Sequence, residues 1–79
     1  MTREEIEREL VAIVRREKDV PDELLTPDTP LTDAGIDSLD SLQILFSIEE
    51  QFHISIPDDE ARAIRTFGDL VRIVESRTG

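Results

Sequence analysis

Three times in 79 residues a short polar side chain is followed, three positions on, by an acid and then by apolar residues at helical spacing. The sites are Thr2-x-x-Glu5, Asp37-x-x-Asp40 and Thr66-x-x-Asp69. In each, the first side chain accepts a free backbone N–H of an opening helical turn, and the acid reaches back to the N–H of the capping residue. Three such starts commit the chain to three helices. The remaining length leaves room for connections and one short helix. A chain of this size makes a single domain, residues 1–79, with a thin stability margin, because little of its surface is buried.

Helix one is expected from about Thr2 to about Glu17. Ile6, Leu10, Ile13 and Val14 form its apolar face, Val11 widens the stripe, and Glu4, Glu7, Arg8, Arg15 and Arg16 occupy the other side. Helix two opens at Asp37 and runs to between Gln51 and His53. Its buried stripe is read as Leu39, Leu42, Leu45, Phe46, Ile48 and Phe52, with Asp40, Gln43, Glu50 and Gln51 outward and Glu49 at the boundary. Asp58 or Asp59 is expected to cap a short third helix with Ala61 and Ile64 inward. The last helix starts at Thr66, buries Phe67, Leu70, Val71 and Val74, and ends near Ser76 to Arg77.

Residues 20–36 contain Pro21, Pro27, Pro30 and Gly35, too many breakers for a regular element. Leu24, Leu25, Leu31 and Ile36 are read as tacks that pin this long loop to the helices, with a single helical turn at Asp22 to Leu25. The alternation in His53-Ile54-Ser55-Ile56-Pro57 suits a strand, but a lone strand has nothing to pair with here. The fold class is therefore all-α: a small four-helix bundle with three major helices, a short third helix and a long loop between helices one and two.

Composition narrows the function. There is no cysteine, hence no disulfide and no thiolate metal site. The longest apolar run, Leu10 to Val14, is five residues and cannot span a membrane. The charged N-terminus lacks the apolar core of a secretory signal. A cytoplasmic location follows as the expectation. Because a well-capped helix follows Met1 at once, a free-standing protein is also expected. The net charge of −10 is concentrated in Asp19 to Ala61, where 43 residues hold twelve acids and no base. Such a surface repels nucleic acid and anionic membranes and steers toward basic patches on proteins.

Catalytic constellations are missing. His53 is the one histidine. If it and Ser38 stand at opposite ends of one helix, fifteen residues separate them by about 22 Å, which excludes a Ser-His couple. The acids of residues 28–40 do not follow a calcium-loop pattern, and Asp58-Asp59-Glu60 reads as helix-start charge. No metal site and no enzymatic activity are expected. Ser38 remains, on the first turn of helix two, either as a capping residue or as an attachment point whose phosphate would be favoured by the helix start.

The run Asp33-Ala34-Gly35-Ile36-Asp37-Ser38-Leu39-Asp40-Ser41-Leu42 resembles the attachment motif of the acyl carrier protein family. The resemblance continues through Ile48-Glu49-Glu50-Gln51-Phe52, through Ile54-Ser55-Ile56-Pro57-Asp58-Asp59-Glu60-Ala61 and into Thr66-Phe67-Gly68-Asp69-Leu70. It implies that Ser38, flanked by Asp37 and Leu39, carries 4'-phosphopantetheine transferred from coenzyme A by a magnesium-dependent phosphopantetheinyl transferase. The thiol of that arm would hold acyl groups as thioesters for enzymes of fatty-acid or specialised polyketide and lipid synthesis.

It also implies a monomer that meets basic partners through Asp37, Asp40, Gln43, Phe46, Glu49, Glu50, Asp58, Asp59 and Glu60. Phe46, Ile48, Ile56, Ala61 and Ile64 would form an acyl pocket. Gln43, where the family usually has an acid, and Phe46, where it usually has a methionine or a smaller aliphatic residue, point toward a specialised carrier. The alternative is an acidic helical adaptor that is never modified, with Ser38 only a cap.

Overall fold

The structure, a computed structural model, describes residues 2–78. Met1, on which the free-standing expectation rests, lies outside the described residues. Helix α1 spans Arg3–Glu17. The Thr2 hydroxyl accepts the Glu5 N–H at 3.2 Å, and the Glu5 carboxylate accepts the Thr2 N–H at 3.1 Å, so both halves of the first box form. The chain leaves α1 at Lys18 in an extended conformation, and Val20 precedes Pro21, a position that disfavours helix. Val20 is fully buried, a tack that the sequence reading left out.

The loop carries two 3₁₀ turns. The first, Asp22–Leu24, falls where one turn is expected; the second, Leu31–Ala34, is additional. It ends at Gly35, whose φ of +80° is left-handed and costs glycine nothing. The loop lies against the start of the last helix rather than in solvent. Leu31 N–H donates to the Arg65 carbonyl at 2.9 Å and Gly68 N–H to the Pro27 carbonyl at 3.1 Å.

Helix α2 spans Ser38–Phe52, α3 spans Asp58–Arg62 and α4 spans Phe67–Thr78. The outer two long helices, α2 and α4, both pack on α1. Helix α2 stops at His53, which takes the left-handed conformation at φ +56° and returns its N–H to the Glu49 carbonyl. Residues 54–57 form no strand, and the third helix has Pro57 at its cap position without a side-chain cap. Asp58 and Asp59 thus lie inside its first turn, where the dipole favours them; neither is the cap expected from sequence. At α4 the Thr66 hydroxyl accepts the Asp69 N–H at 3.2 Å, while Asp69 accepts the backbone N–H groups of both Thr66 and Arg65.

The buried set is Ile6, Leu10, Ile13 and Val14 of α1, Ile44 and Ile48 of α2, Phe67, Leu70, Val71 and Val74 of α4, and Val20, Leu31 and Ile36 of the loop. Each large aliphatic side chain so removed from water contributes about 1.5–3 kcal/mol. Helix α2 corrects the sequence reading. Leu39, Leu42 and Phe46 are 68%, 50% and 65% exposed, whereas Ile44, absent from the expected stripe, is buried. The helix is apolar on two sides. Ile44 and Ile48 face the core with half-buried Leu45 and Phe52 beside them, and Leu39, Leu42 and Phe46 form a second stripe at i, i+3 and i+7 that faces water.

Candidate functional site

The loop delivers the chain to the start of α2 through Gly35 and the buried Ile36. Asp37 then caps the helix: its carboxylate accepts the Asp40 N–H at 2.8 Å, and Asp40 returns a longer contact, 3.4 Å, to the Asp37 N–H. Ser38 is the first helical residue and is exposed. Asp37 and Asp40 form the capping box between them, and the Ser38 hydroxyl takes part in no hydrogen bond among the described residues. Leu39 and Leu42 stand open beside it. His53 caps the far end of the same helix and is remote from Ser38.

An exposed hydroxyl unclaimed by the cap, on a first helical turn, fits a phosphodiester. The opening N–H groups and the dipole of the helix favour the negative charge, and the open apolar side chains of Leu39 and Leu42 offer surface to an aliphatic arm. A buried or hydrogen-bonded serine would not have fitted.

Of the seven acids expected at the docking surface, four already have partners within the chain. Asp37 holds the cap. Asp40 accepts the Lys18 Nζ at 3.1 Å. Glu49 accepts the Ile56 N–H at 2.8 Å. Glu60 pairs with Arg77. Glu50, Asp58 and Asp59 have neither an ion pair nor a hydrogen bond to their side chains among the described residues. Gln43 and Phe46 are exposed on the same side of α2. The base-free stretch of sequence is therefore not base-free in space. Lys18 reaches Asp40 from the end of α1, and Arg15 reaches Asp22.

The Lys18 ammonium, together with the Asp37 N–H, holds the Asp40 carboxyl below the usual aspartate range. The backbone N–H of Arg65, with that of Thr66 and the Arg72 guanidinium, does the same for Asp69.

The residues expected at an acyl pocket separate. A cavity of about 30 Å³ lies between α2, the α3 end and α4, lined by Leu31, Ser41, Ile44, Leu45, Ala61, Ile64 and Leu70. Ala61 and Ile64 belong to its wall. Phe46 points to solvent, Ile48 is in the core and Ile56 is half-buried, and these three do not line it. Sequence reasoning missed Lys18, which lies 22 positions from Asp40 and carries no local signal of that contact. It also missed Ile44, whose i+4 spacing to Ile48 was a usable clue.

Residues 8–74 match the family described as the phosphopantetheine attachment site. An acyl carrier protein of Prochlorococcus marinus (strain MIT 9515) is 36% identical over an alignment of 80 residues that covers the whole of both chains. One from Sulfurovum sp. is 43% identical over 56 residues, 71% of this chain and 75% of that one. The crystal structure of an acyl carrier protein from Thermotoga maritima superposes with a TM-score of 0.83 at 25% identity, covering 95% of this chain and 88% of the other. No helix among the described residues is long and apolar enough to cross a membrane. The match over most of the length, the shared helical fold and the free hydroxyl at the start of α2 converge: the chain belongs to the acyl carrier protein family, a carrier of acyl groups on 4'-phosphopantetheine.

Proposed function

We propose that Ser38 is the attachment point, and that the 79 residues act as one monomeric carrier domain in the cytoplasm with no catalysis of its own. The observation that carries this is the division of labour at the start of α2: Asp37 and Asp40 cap the helix, and the neighbouring hydroxyl is left exposed. The arm, when bound, would supply a terminal thiol for acyl transfer. The residues of this chain hold the arm's root. Ser38 Oγ would carry the phosphoester, the opening N–H groups of α2 would favour its negative charge, and Asp37 and Leu39 would stand on either side of it. As a carrier, the chain meets a phosphopantetheinyl transferase and acyl-processing enzymes.

The docking surface follows α2 and the start of α3. Leu39, Leu42 and Phe46 form its apolar centre, with Asp37, Asp40, Gln43, Glu49 and Glu50 around them and Asp58, Asp59 and Glu60 beyond. Basic patches on partners complement this rim. The bulky Phe46 and the uncharged Gln43 favour partners in a specialised polyketide or lipid route over those of general fatty-acid synthesis. Ala61 and Ile64 border the space where an acyl chain enters, together with Ile44 and Leu45.

Incubation with coenzyme A, magnesium and a promiscuous transferase, followed by intact mass, tests the assignment. The native chain should gain one phosphopantetheinyl group and Ser38→Ala none. An unmodified native chain, alongside a control carrier that loads, would overturn it.

A further inference from the structure

Among the described residues, Lys18 is the one base paired with an acid at the start of α2, and the fold rather than the sequence brings it there. It ends α1 in an extended conformation. Its stem then crosses the turn at Gly35, where a built Cβ would lie 3.9 Å from Lys18 Cε. Its Nζ reaches Asp40 Oδ2 at 3.1 Å, the same oxygen that faces the Asp37 N–H at 3.4 Å. The pair is half open, with the lysine side chain 42% and the aspartate 19% exposed. Asp40 is two residues from Ser38 and one turn into the helix, where a basic partner approaching the hydroxyl would look for an acid.

We propose that Lys18 is a positioning and specificity residue that masks Asp40, so that a partner relying on an acid at this place must first displace an ammonium held in cis. This rests on Ser38 being the loading site. The physical basis is competition. One carboxylate oxygen already serves a capping N–H and an ammonium, and a second cation gains little from it while its own approach is opposed by the Lys18 charge. With Glu49, Glu60 and Asp37 also engaged, the free carboxylates of the docking face lie further down α2 and on α3, at Glu50, Asp58 and Asp59. Partners that use those positions and the apolar stripe are admitted. Partners that need Asp40 are slowed.

The test compares transfer from coenzyme A to Ser38 by a promiscuous transferase with a basic docking face, across a range of salt concentrations. Lys18→Met keeps the apolar stem over Gly35 and removes the charge, Lys18→Gln is the second variant should Met perturb the fold, and Lys18→Arg is the conservative control. Removing the charge should lower KM roughly two- to fivefold at low salt, the range of an exposed ion pair. The salt dependence should steepen, and the gain should vanish at high salt. Lys18→Arg should behave as the native chain. Asp40→Asn should cost more in the Lys18→Met background than in the native one, because only there does a partner reach Asp40 without first displacing the Lys18 ammonium.

An equal cost in both backgrounds would reduce Lys18 to a general surface charge and overturn the masking. A lower transfer rate in Lys18→Met with an unchanged melting temperature would overturn it too, since the lysine would then be aiding docking. Failure of the native chain to load at all would overturn the Ser38 assignment, and the masking with it; loading without coupling overturns the masking alone.

Discussion

Gly68→Ala sets two effects of comparable size against each other. Gly68 is buried in the first turn of α4, and its N–H donates to the Pro27 carbonyl at 3.1 Å. Placing alanine for glycine in a helix favours folding by up to about 1 kcal/mol. A Cβ at this position, however, would lie 2.8 Å from the Pro27 oxygen, 3.1 Å from its Cβ and 3.3 Å from its Cα. All three atoms belong to the backbone or to a proline ring, so no side chain can rotate aside. The loop itself must retreat, at an overpacking cost of about 1–3 kcal/mol that includes stretching the hydrogen bond. A 2.8 Å approach to a backbone oxygen puts the cost in the upper part of that range, about 2–3 kcal/mol, and subtracting about 1 kcal/mol of propensity leaves a net loss of about 1–2 kcal/mol. In a domain of this size each kcal/mol moves the melting temperature by roughly 4–8 °C. A circular-dichroism melt should therefore place Gly68→Ala roughly 4–16 °C below the native protein. An unchanged or higher melting temperature would refute the reasoning, because it would mean that residue 27 yields freely and the loop is not pinned to α4.

Further outcomes follow from the same structure. Ser38→Ala should leave the melting temperature within a few degrees of native, since its hydroxyl caps nothing, whereas Asp37→Ala should cost about 1 kcal/mol for the lost cap; the reverse order would make Ser38 the structural residue. Phe46→Ala should change stability by less than about 0.5 kcal/mol because the ring is mostly exposed, while slowing turnover with acyl-processing partners. Ile48→Ala, at a fully buried site, should cost about 2–5 kcal/mol; similar losses for the two would contradict the orientation of α2. Asp69 and Asp40 have folded-state pKa values below the ordinary carboxylate range. Their contribution is complete above the unfolded value near pH 4 and is lost as pH falls through the depressed folded values. Urea melts of Asp69→Asn should thus lose less stability than the native chain on acidification below about pH 4, and equal losses would argue against the cap at α4.

What was legible in sequence was local. Each box joins groups three residues apart, so Thr2, Asp37 and Thr66 could be read directly, and so could the breakers of the loop and the tacks Leu31 and Ile36. Helix α2 shows where such reading stops. With Leu39, Leu42 and Phe46 on one side and Ile44 and Ile48 on the other, periodicity gives two apolar stripes and no means of choosing between them. The choice is made by the rest of the fold, in which Ile44 and Ile48 join the buried cluster of α1, α4 and the loop. Charge shows the same boundary. Lys18 lies just outside the base-free stretch of sequence yet against Asp40 in space. The candidate site was legible to the extent that it depends on the first turn of α2, and hidden to the extent that it depends on what folds back over that turn.

The hydrogen bonds that join the loop to the α3–α4 junction close the intervening chain into a ring. Leu31 is tied to Arg65 and Pro27 to Gly68, so all of α2 and α3 lie between two clamped ends. The two sides of that ring share a base and cannot swing independently. A shift of α3 away from α4 strains Arg65 and Thr66, and through them Pro30 and Leu31, from which the Leu31–Ala34 turn, Gly35, Ile36 and Asp37 lead to Ser38. In the language of amide exchange, the N–H protons of Leu31 and Gly68 should open as one unit. Their common rate would report how often the start of α2 and the cavity wall at Ala61 and Ile64 move together.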